Sequence, residues 1–308
     1  MNELYKVHRP KDFNEIVGQK TPVKVLETFL KNETLPHTLL FTGPSGCGKT
    51  TLARIVRKKL KCGKHDFTEM DCADFRGIEM VRSIRKRLRQ APISGKCRVW
   101  LIDECHKMTT DAQDAFLKML EDTPKHVYFF LATTDPQKLK KTIKTRATEI
   151  AVKSLTPKEM NTLVVSTVLL ENKKVSDDVI EKIKEHSEGS ARKAMVFLNQ
   201  IIELDTEKEM METIQSSTAE VQGFAVAQAL YKKGMSWYNM SQILKSVATE
   251  EAETIRWIVL GYSKTILLSG SQLSGKAYLT IDAFRDNFYD SKHAGLVAAC
   301  YKVIVGTE

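Results

Sequence analysis

The chain has no apolar run approaching the roughly 20 residues that a membrane-spanning helix needs, and its first ten residues lack a hydrophobic targeting core. That pattern reads as a soluble, cytoplasmic protein, in a nucleoid or in a host cell's cytoplasm if the source is viral, with no membrane partner. Cysteine is sparse: six residues, at 47, 62, 72, 97, 105 and 300, without close paired spacing. Neither a disulfide scaffold nor a zinc site is indicated, and a reducing compartment fits. Low-complexity linkers and internal repeats are missing as well. What remains is 308 residues, enough to bury a substantial core and to form two or three domains.

Acidic charge is scarce in one place only. Residues 1 to 100 carry 21 Lys or Arg against 10 Asp or Glu, 101 to 150 balance at 8 and 8, and 151 to 308 carry 18 against 20. The whole net charge of +9 therefore comes from the first third. A polyanion bound there would account for the asymmetry, although solubility alone also favours a basic surface.

The chain is organised around Gly43, Pro44, Ser45, Gly46, Cys47, Gly48, Lys49 and Thr50, followed by Thr51. An apolar run from His37 to Phe41 precedes this loop, and a periodically apolar, basic stretch from Leu52 to Leu60 follows it, giving strand, glycine-rich loop and helix. Three glycines allow a tight turn whose amide hydrogens, with the positive end of the next helix, point at a polyphosphate. Lys49 would reach the terminal phosphates and the Thr50 hydroxyl would hold magnesium.

Arg98 to Glu104 reads as a second buried strand ending in two acids. At the carboxyl end of a parallel strand, Asp103 is placed to hold magnesium and Glu104 to position an attacking water. Val127 to Leu131 is a further strand, and after it Thr134 could sense a γ phosphate or simply bond to nearby backbone. Thr110 with Gln113 forms an expected capping box for the intervening helix. Arg146 is a candidate to reach a nucleotide on the next subunit. Tyr5 to Pro10 is a polar arm, either mobile or part of a base pocket.

Between them, Ile78 to Gln90 predicts a helix whose Ile78, Val81, Ile84 and Leu88 form one stripe. Arg82, Arg85, Lys86 and Arg89 lie off that stripe, and Arg76 extends the same surface. Without residues arranged to read bases, such a helix would contact nucleic-acid phosphates in a salt-dependent way, or be a solvated face. Beyond Val152 the chain turns helical. Thr156, Pro157 and Glu159 start one helix, Ser176 caps another, and Ser190 caps a third with Arg192 and Lys193 in its first turn. Two cations there oppose the helix dipole, at about 0.3 to 1 kcal/mol each, a cost that a bound phosphate would offset. Later helices are expected at Val221 to Tyr231, Trp237 to Thr249, Glu251 to Leu268, Ile281 to Phe288 and Leu296 to Val305.

Taken together these motifs resemble the clamp-loader ATPases of the AAA+ superfamily, namely bacterial gamma/tau subunits and the small subunits of archaeal, eukaryotic and phage loaders. The likeness runs from His8, Arg9, Pro10, Phe13, Val17 and Gly18 through the loop, Asp103-Glu104-Cys105-His106, and Ala132 to Leu139. It implies an α/β AAA+ domain with a parallel sheet (1 to 154), a helical lid (155 to 215) and a helical collar (216 to 308). It implies an ATP site lined by Val7, His8, Arg9, Pro10, Val17, Gly18, the loop and Arg192, with ATP and magnesium; the bacterial subunits also carry a four-cysteine zinc module, but Cys62 and Cys72 here lack that cluster, so no zinc is expected. Thr134 and Arg192 would be the two nucleotide sensors and Arg146 the finger acting in trans. Family members usually carry that finger in Ser-Arg-Cys, whereas here it is Thr145-Arg146-Ala147. Implied partners are other loader subunits in five-subunit spirals, a sliding clamp and primer-template DNA. A helicase or branch-migration motor, a scaffold without turnover and a nucleotide-dependent signalling protein are the competing classes.

Overall fold

The structure, a computed structural model, describes residues 3–247 and 252–306, with side chains throughout except at 215–220. In chain order it contains α1 (Leu4–Val7), α2 (Lys20–Lys31), β1 (Thr38–Thr42), α3 (Lys49–Lys59), β2 (Phe67–Asp71), α4 (Ile78–Leu88), β3 (Arg98–Asp103), α5 (Thr110–Glu121), β4 (Val127–Thr133), α6 (Lys141–Lys144) and β5 (Thr148–Ala151). The remainder is helical: α7 (Pro157–Leu170), α8 (Asp177–Ser187), α9 (Ala191–Ile201), α10 (Glu207–Tyr231), α11 (Trp237–Lys245), α12 (Ala252–Leu268), α13 (Ser274–Ala283) and α14 (Lys292–Val305). Two compact units result, residues 1–203 and 204–308.

In the first unit five parallel strands lie in the order β2-β3-β4-β1-β5. All five residues of β1 are buried, as are the first five of β3, which is why these segments read as unbroken apolar runs. Alternate side chains leave for opposite faces of a strand. Leu40, Trp100, Ile102, Phe129 and Leu131 accordingly pack with α4 and α5 on one face. Leu39, Phe41, Val99, Leu101 and Phe130 pack with α2 and α3 on the other. β2 was not among the expected strands; as the edge strand it is only half buried, and Phe-Thr-Glu-Met-Asp carries no apolar run.

The lid-like helices α7, α8 and α9 belong to this same unit. Thr156 and Glu159 form the expected reciprocal cap, with Glu159 N–H donating to Thr156 Oγ1 at 3.3 Å and Thr156 N–H donating to Glu159 Oε2 at 2.9 Å. Ser176 and Ser190 cap α8 and α9. The arm is ordered as a helical turn: Leu4 is buried, its N–H donates to Asn199 Oδ1 at 3.0 Å, and His8 pairs with Glu171.

Several expected boundaries move. Thr109, not Thr110, caps α5, accepting from Ala112 N–H at 3.3 Å. Gln113 instead is buried and bonds to Met108 O at 3.2 Å and Lys140 N–H at 3.0 Å, so no capping box forms. α10 starts at Glu207 rather than Val221 and runs unbroken past residue 215. α11 ends at Lys245, and Thr249 and Glu251 lie outside the described residues. The expected helix over Ile281 to Phe288 is replaced by α13, which ends at Ala283; beyond it Glu253 takes the N–H of Phe288 at 2.7 Å. The second unit has its own core, in which Leu230, Ile255, Val259, Phe284, Leu296 and Cys300 are buried together. Among the described residues no helix is long and apolar enough to cross a membrane.

Candidate functional site

Three strand ends meet at one point. β4 lies between β1 and β3 in the sheet, so the loop after β1, the acids after β3 and the threonines after β4 share the carboxyl edge. Gly43, Gly46 and Gly48 turn the loop with φ of 139, 75 and 104°, a region in which side chains are strained. Space forbids them too: a Cβ on Gly43 would stand 1.9 Å from Val152 O, and one on Gly46 2.2 Å from Ser190 Oγ.

Lys49 opens α3 and is buried, with Nζ donating to Gly43 O and Pro44 O at 2.8 Å each. Burial holds its pKa below the ordinary lysine value, while Glu104 and Asp103 work in the opposite direction. The Thr50 hydroxyl donates to Asp103 Oδ2 at 3.1 Å, a hydroxyl and a carboxylate brought together as hard oxygen donors suited to a small divalent cation. Glu104 takes the left-handed conformation, φ 47°, and its N–H donates to Asp103 Oδ1 at 2.9 Å. Thr134 donates its hydroxyl to Glu104 Oε2 at 3.0 Å, and the neighbouring Thr133 hydroxyl accepts from Asp135 N–H at 3.0 Å. Thr134 thus bonds to the acid, whereas its neighbour Thr133 bonds to backbone.

Above this edge lies a cleft of about 1040 Å³, solvent-open space included. His8, Arg9 and Pro10 line it from the arm, Val17 from the segment after it, Ser45 to Thr51 from the loop and α3, Asp103 and Glu104 from the end of β3, and Arg192 from α9. The α9 turn is bonded directly to the loop, since Arg192 N–H donates to Gly46 O at 3.2 Å. Arg192's guanidinium sits 5.8 Å from the centre of the Tyr5 ring.

Some expected residues stand elsewhere. Val7 is exposed, and Gly18 packs against Leu155 and Glu159; neither lines the cleft. Gly43 and Pro44 contribute carbonyls to Lys49 rather than a wall. Arg146 follows α6, away from the cleft lining, with its guanidinium on Glu121 Oε1 at 2.6 Å and Thr142 O at 3.1 Å. Arg76, Arg82, Arg85, Lys86 and Arg89 are all exposed, and Arg82 pairs with Glu79. α4 ends two residues short of its expected limit but buries the stripe Val81, Ile84 and Leu88. Tyr5, at the start of the arm, also lines the cleft, and sequence reasoning missed Ile16, Gln19, Leu155, Leu163 and Met195. Leu163 and Met195 lie on helical stripes that are indistinguishable from core positions before the fold is known, whereas Ile16 and Leu155 lie in connecting segments.

Residues 39–155 match the description of the AAA family, ATPases associated with various cellular activities. The chain is 32% identical over 222 residues to the DNA polymerase III subunit gamma/tau of Mycobacterium tuberculosis, covering 65% of this chain and 38% of that one. It is 31% identical over 258 residues to the DNA polymerase III subunit tau of Bacillus subtilis, covering 76% and 46%. The chain thus spans less than half the length of these curated relatives. Among solved structures, the Thermotoga maritima RuvB Holliday junction branch migration motor shares the fold, with a TM-score of 0.59 at 19% identity over 77% of this chain and 85% of that one. This chain carries an AAA+ ATPase domain and is homologous through it to the DNA polymerase III gamma/tau subunits.

Proposed function

We propose that the chain binds and hydrolyses ATP in this cleft and serves as an ATPase subunit of a clamp loader, opening a ring-shaped sliding clamp and placing it on primer-template DNA. One observation carries the reading: a glycine-lined loop, a hydroxyl–carboxylate pair and a second carboxylate converge on one sheet edge. The identity to gamma/tau subunits directs it to clamp loading.

Thr50 and Asp103 would hold magnesium, which supplies positive charge to the phosphate oxygens when bound. Lys49 would exchange its two carbonyl partners for phosphate oxygens, an exchange of neutral acceptors for charged ones that favours the bound state. Loop amides and the amino end of α3 would cradle the rest of the polyphosphate. The arm residues His8, Arg9, Pro10 and Val17 would flank the base. Glu104 would accept a proton-bearing water and orient it in line, while Thr134 and Arg192 would register the terminal phosphate. Because Arg192 is bonded through its backbone to Gly46, a shift of the phosphate loop would move α9 and with it the lid helices, residues 155–215 in the expected division.

Arg146 would act in trans. It lies on an exposed corner where an adjoining protomer could receive it, and its local partner, Glu121, is itself exposed. Residues 216–308 would form the collar through which subunits assemble. Arg76, Arg82, Arg85, Lys86 and Arg89 would follow duplex phosphates. A branch-migration motor shares the fold, but the identity of 19% to RuvB against 31–32% to gamma/tau subunits favours loading.

The test is ATP hydrolysis and clamp retention on circular primed DNA, with candidate clamp and loader subunits added one at a time. Clamp-stimulated turnover with retained rings is expected. DNA-stimulated translocation without any effect of the clamp would support the motor instead.

A further inference from the structure

His106 has no part in the scheme above, yet it is almost enclosed, with a side chain only 10% exposed, beside the acid on which that scheme depends. The left-handed turn at Glu104 leads into a short 3-10 turn, Cys105–Lys107, closed by Lys107 N–H donating to Glu104 O at 2.8 Å. This turn folds the imidazole back over the carboxylate of its own loop. Nδ1 lies 3.2 Å from Glu104 Oε2 and 3.0 Å from Thr133 Oγ1.

A carboxylate oxygen only accepts, so an unprotonated Nδ1 would set a lone pair against Oε2. Only a protonated Nδ1 satisfies both contacts, sharing its hydrogen between Oε2 and the Thr133 hydroxyl. Oε2 then receives two donors, Thr134 Oγ1–H at 3.0 Å and His106 Nδ1–H. Oε1 is left without a protein partner among the described residues. Thr133 ends β4 and Thr134 follows it, so the acid is tied to this strand end directly through Thr134 and, by way of His106, to Thr133.

We propose that His106 is a positioning residue for Glu104: as an Nδ1–H donor it locks the carboxylate against the end of β4 and leaves Oε1 as the oxygen presented to the attacking water. This rests on the ATPase reading. The locking acts on the orientation of the acid and not on nucleotide contacts, so loss of the donor lowers turnover without altering binding. Misplacement of a reacting group by about 1 Å is enough to cost up to 10²-fold in rate.

The test uses the full chain at saturating ATP. His106→Ala is expected to lower kcat about tenfold while KM and the affinity for a fluorescent ADP analogue stay within about twofold. His106→Asn, whose side-chain amide donates from a similar place, is expected to recover most of that loss. Full turnover in His106→Ala, or His106→Asn as slow as His106→Ala, would overturn the assignment. Nitrogen-15 correlation spectra of the imidazole decide independently of turnover: an Nδ1–H tautomer is expected in the wild-type chain, and an Nε2–H tautomer would overturn it. A wild-type chain that shows the Nδ1–H tautomer but no turnover would refute the ATPase reading and leave the contact standing.

Discussion

The cleft at the sheet edge and the cationic surface of α4 and α6 are built on opposite principles. At the sheet edge the central polar side chains are paired inside the chain: Lys49 on two carbonyls, Thr50 on Asp103, Thr134 and His106 on Glu104 Oε2. On α4 and just after it the cations Arg85, Lys86 and Arg89 are exposed, and just after α6 Arg146 is held by an exposed glutamate and the Thr142 carbonyl. Exposed ion pairs contribute about 0 to 1 kcal/mol and weaken with salt. The cleft residues are therefore constrained by the fold itself, whereas the surface cations acquire a role only when another molecule arrives. On the function proposed above, the binding chemistry would be complete within one protomer and its use would require partners.

The contrast can be broken or sharpened by substitution. The largest effect is expected from Glu104→Gln, which would remove the proposed base while keeping a hydrogen-bond acceptor. Turnover should fall about 10²- to 10³-fold with nucleotide affinity nearly unchanged, as read by steady-state hydrolysis and titration calorimetry. Lys49→Ala should weaken ATP affinity about 100-fold, roughly 2.7 kcal/mol, because a charged donor to phosphate is lost. Neither change should alter DNA binding by more than about twofold; a large loss would join the two regions that the geometry separates.

Arg82→Ala combined with Arg85→Ala should do the reverse. DNA affinity should drop about tenfold near 0.1 M salt, and the slope of log K against log salt should fall by about 1.8 if both side chains neutralise phosphates. An unchanged slope would make α4 a solvated face. The smallest effect concerns protons. Burial depresses the Lys49 pKa in the free chain, and a bound polyphosphate would raise it. Nucleotide binding should thus take up protons at alkaline pH, and affinity should decline as pH rises between the free and bound pKa values. Calorimetry in two buffers of different ionisation enthalpy reads that uptake, which should vanish in Lys49→Met.

The parts of the site that could be read from sequence are those whose chemistry is local. Loop glycines, Lys49 and Thr50 are consecutive, and Asp103 and Glu104 terminate an apolar run that is buried on both sides. The strands β1, β3 and β4 were legible for the same reason, whereas β2, half exposed at the edge, was not. Contacts that need the fold were hidden. Nothing in the order Asp-Glu-Cys-His reveals that a left-handed turn at Glu104 returns His106 to its carboxylate. Leu163 and Met195 face the cleft from α7 and α9 but have the spacing of core residues. At the carboxyl end of the chain, the ion-paired Glu253 takes the N–H of Phe288 beyond the end of α13, where periodicity alone would have prolonged the helix.

The division between self-sufficient binding and shared turnover is tested most directly by measuring both on one dilution series, for the wild-type chain and Arg146→Ala. One nucleotide should bind per chain at every protein concentration in both proteins. Turnover per chain should rise with concentration in the wild type and stay at its dilute value in Arg146→Ala. Equal turnover per chain at all concentrations, unaffected by the substitution, would contradict a site completed by a neighbour.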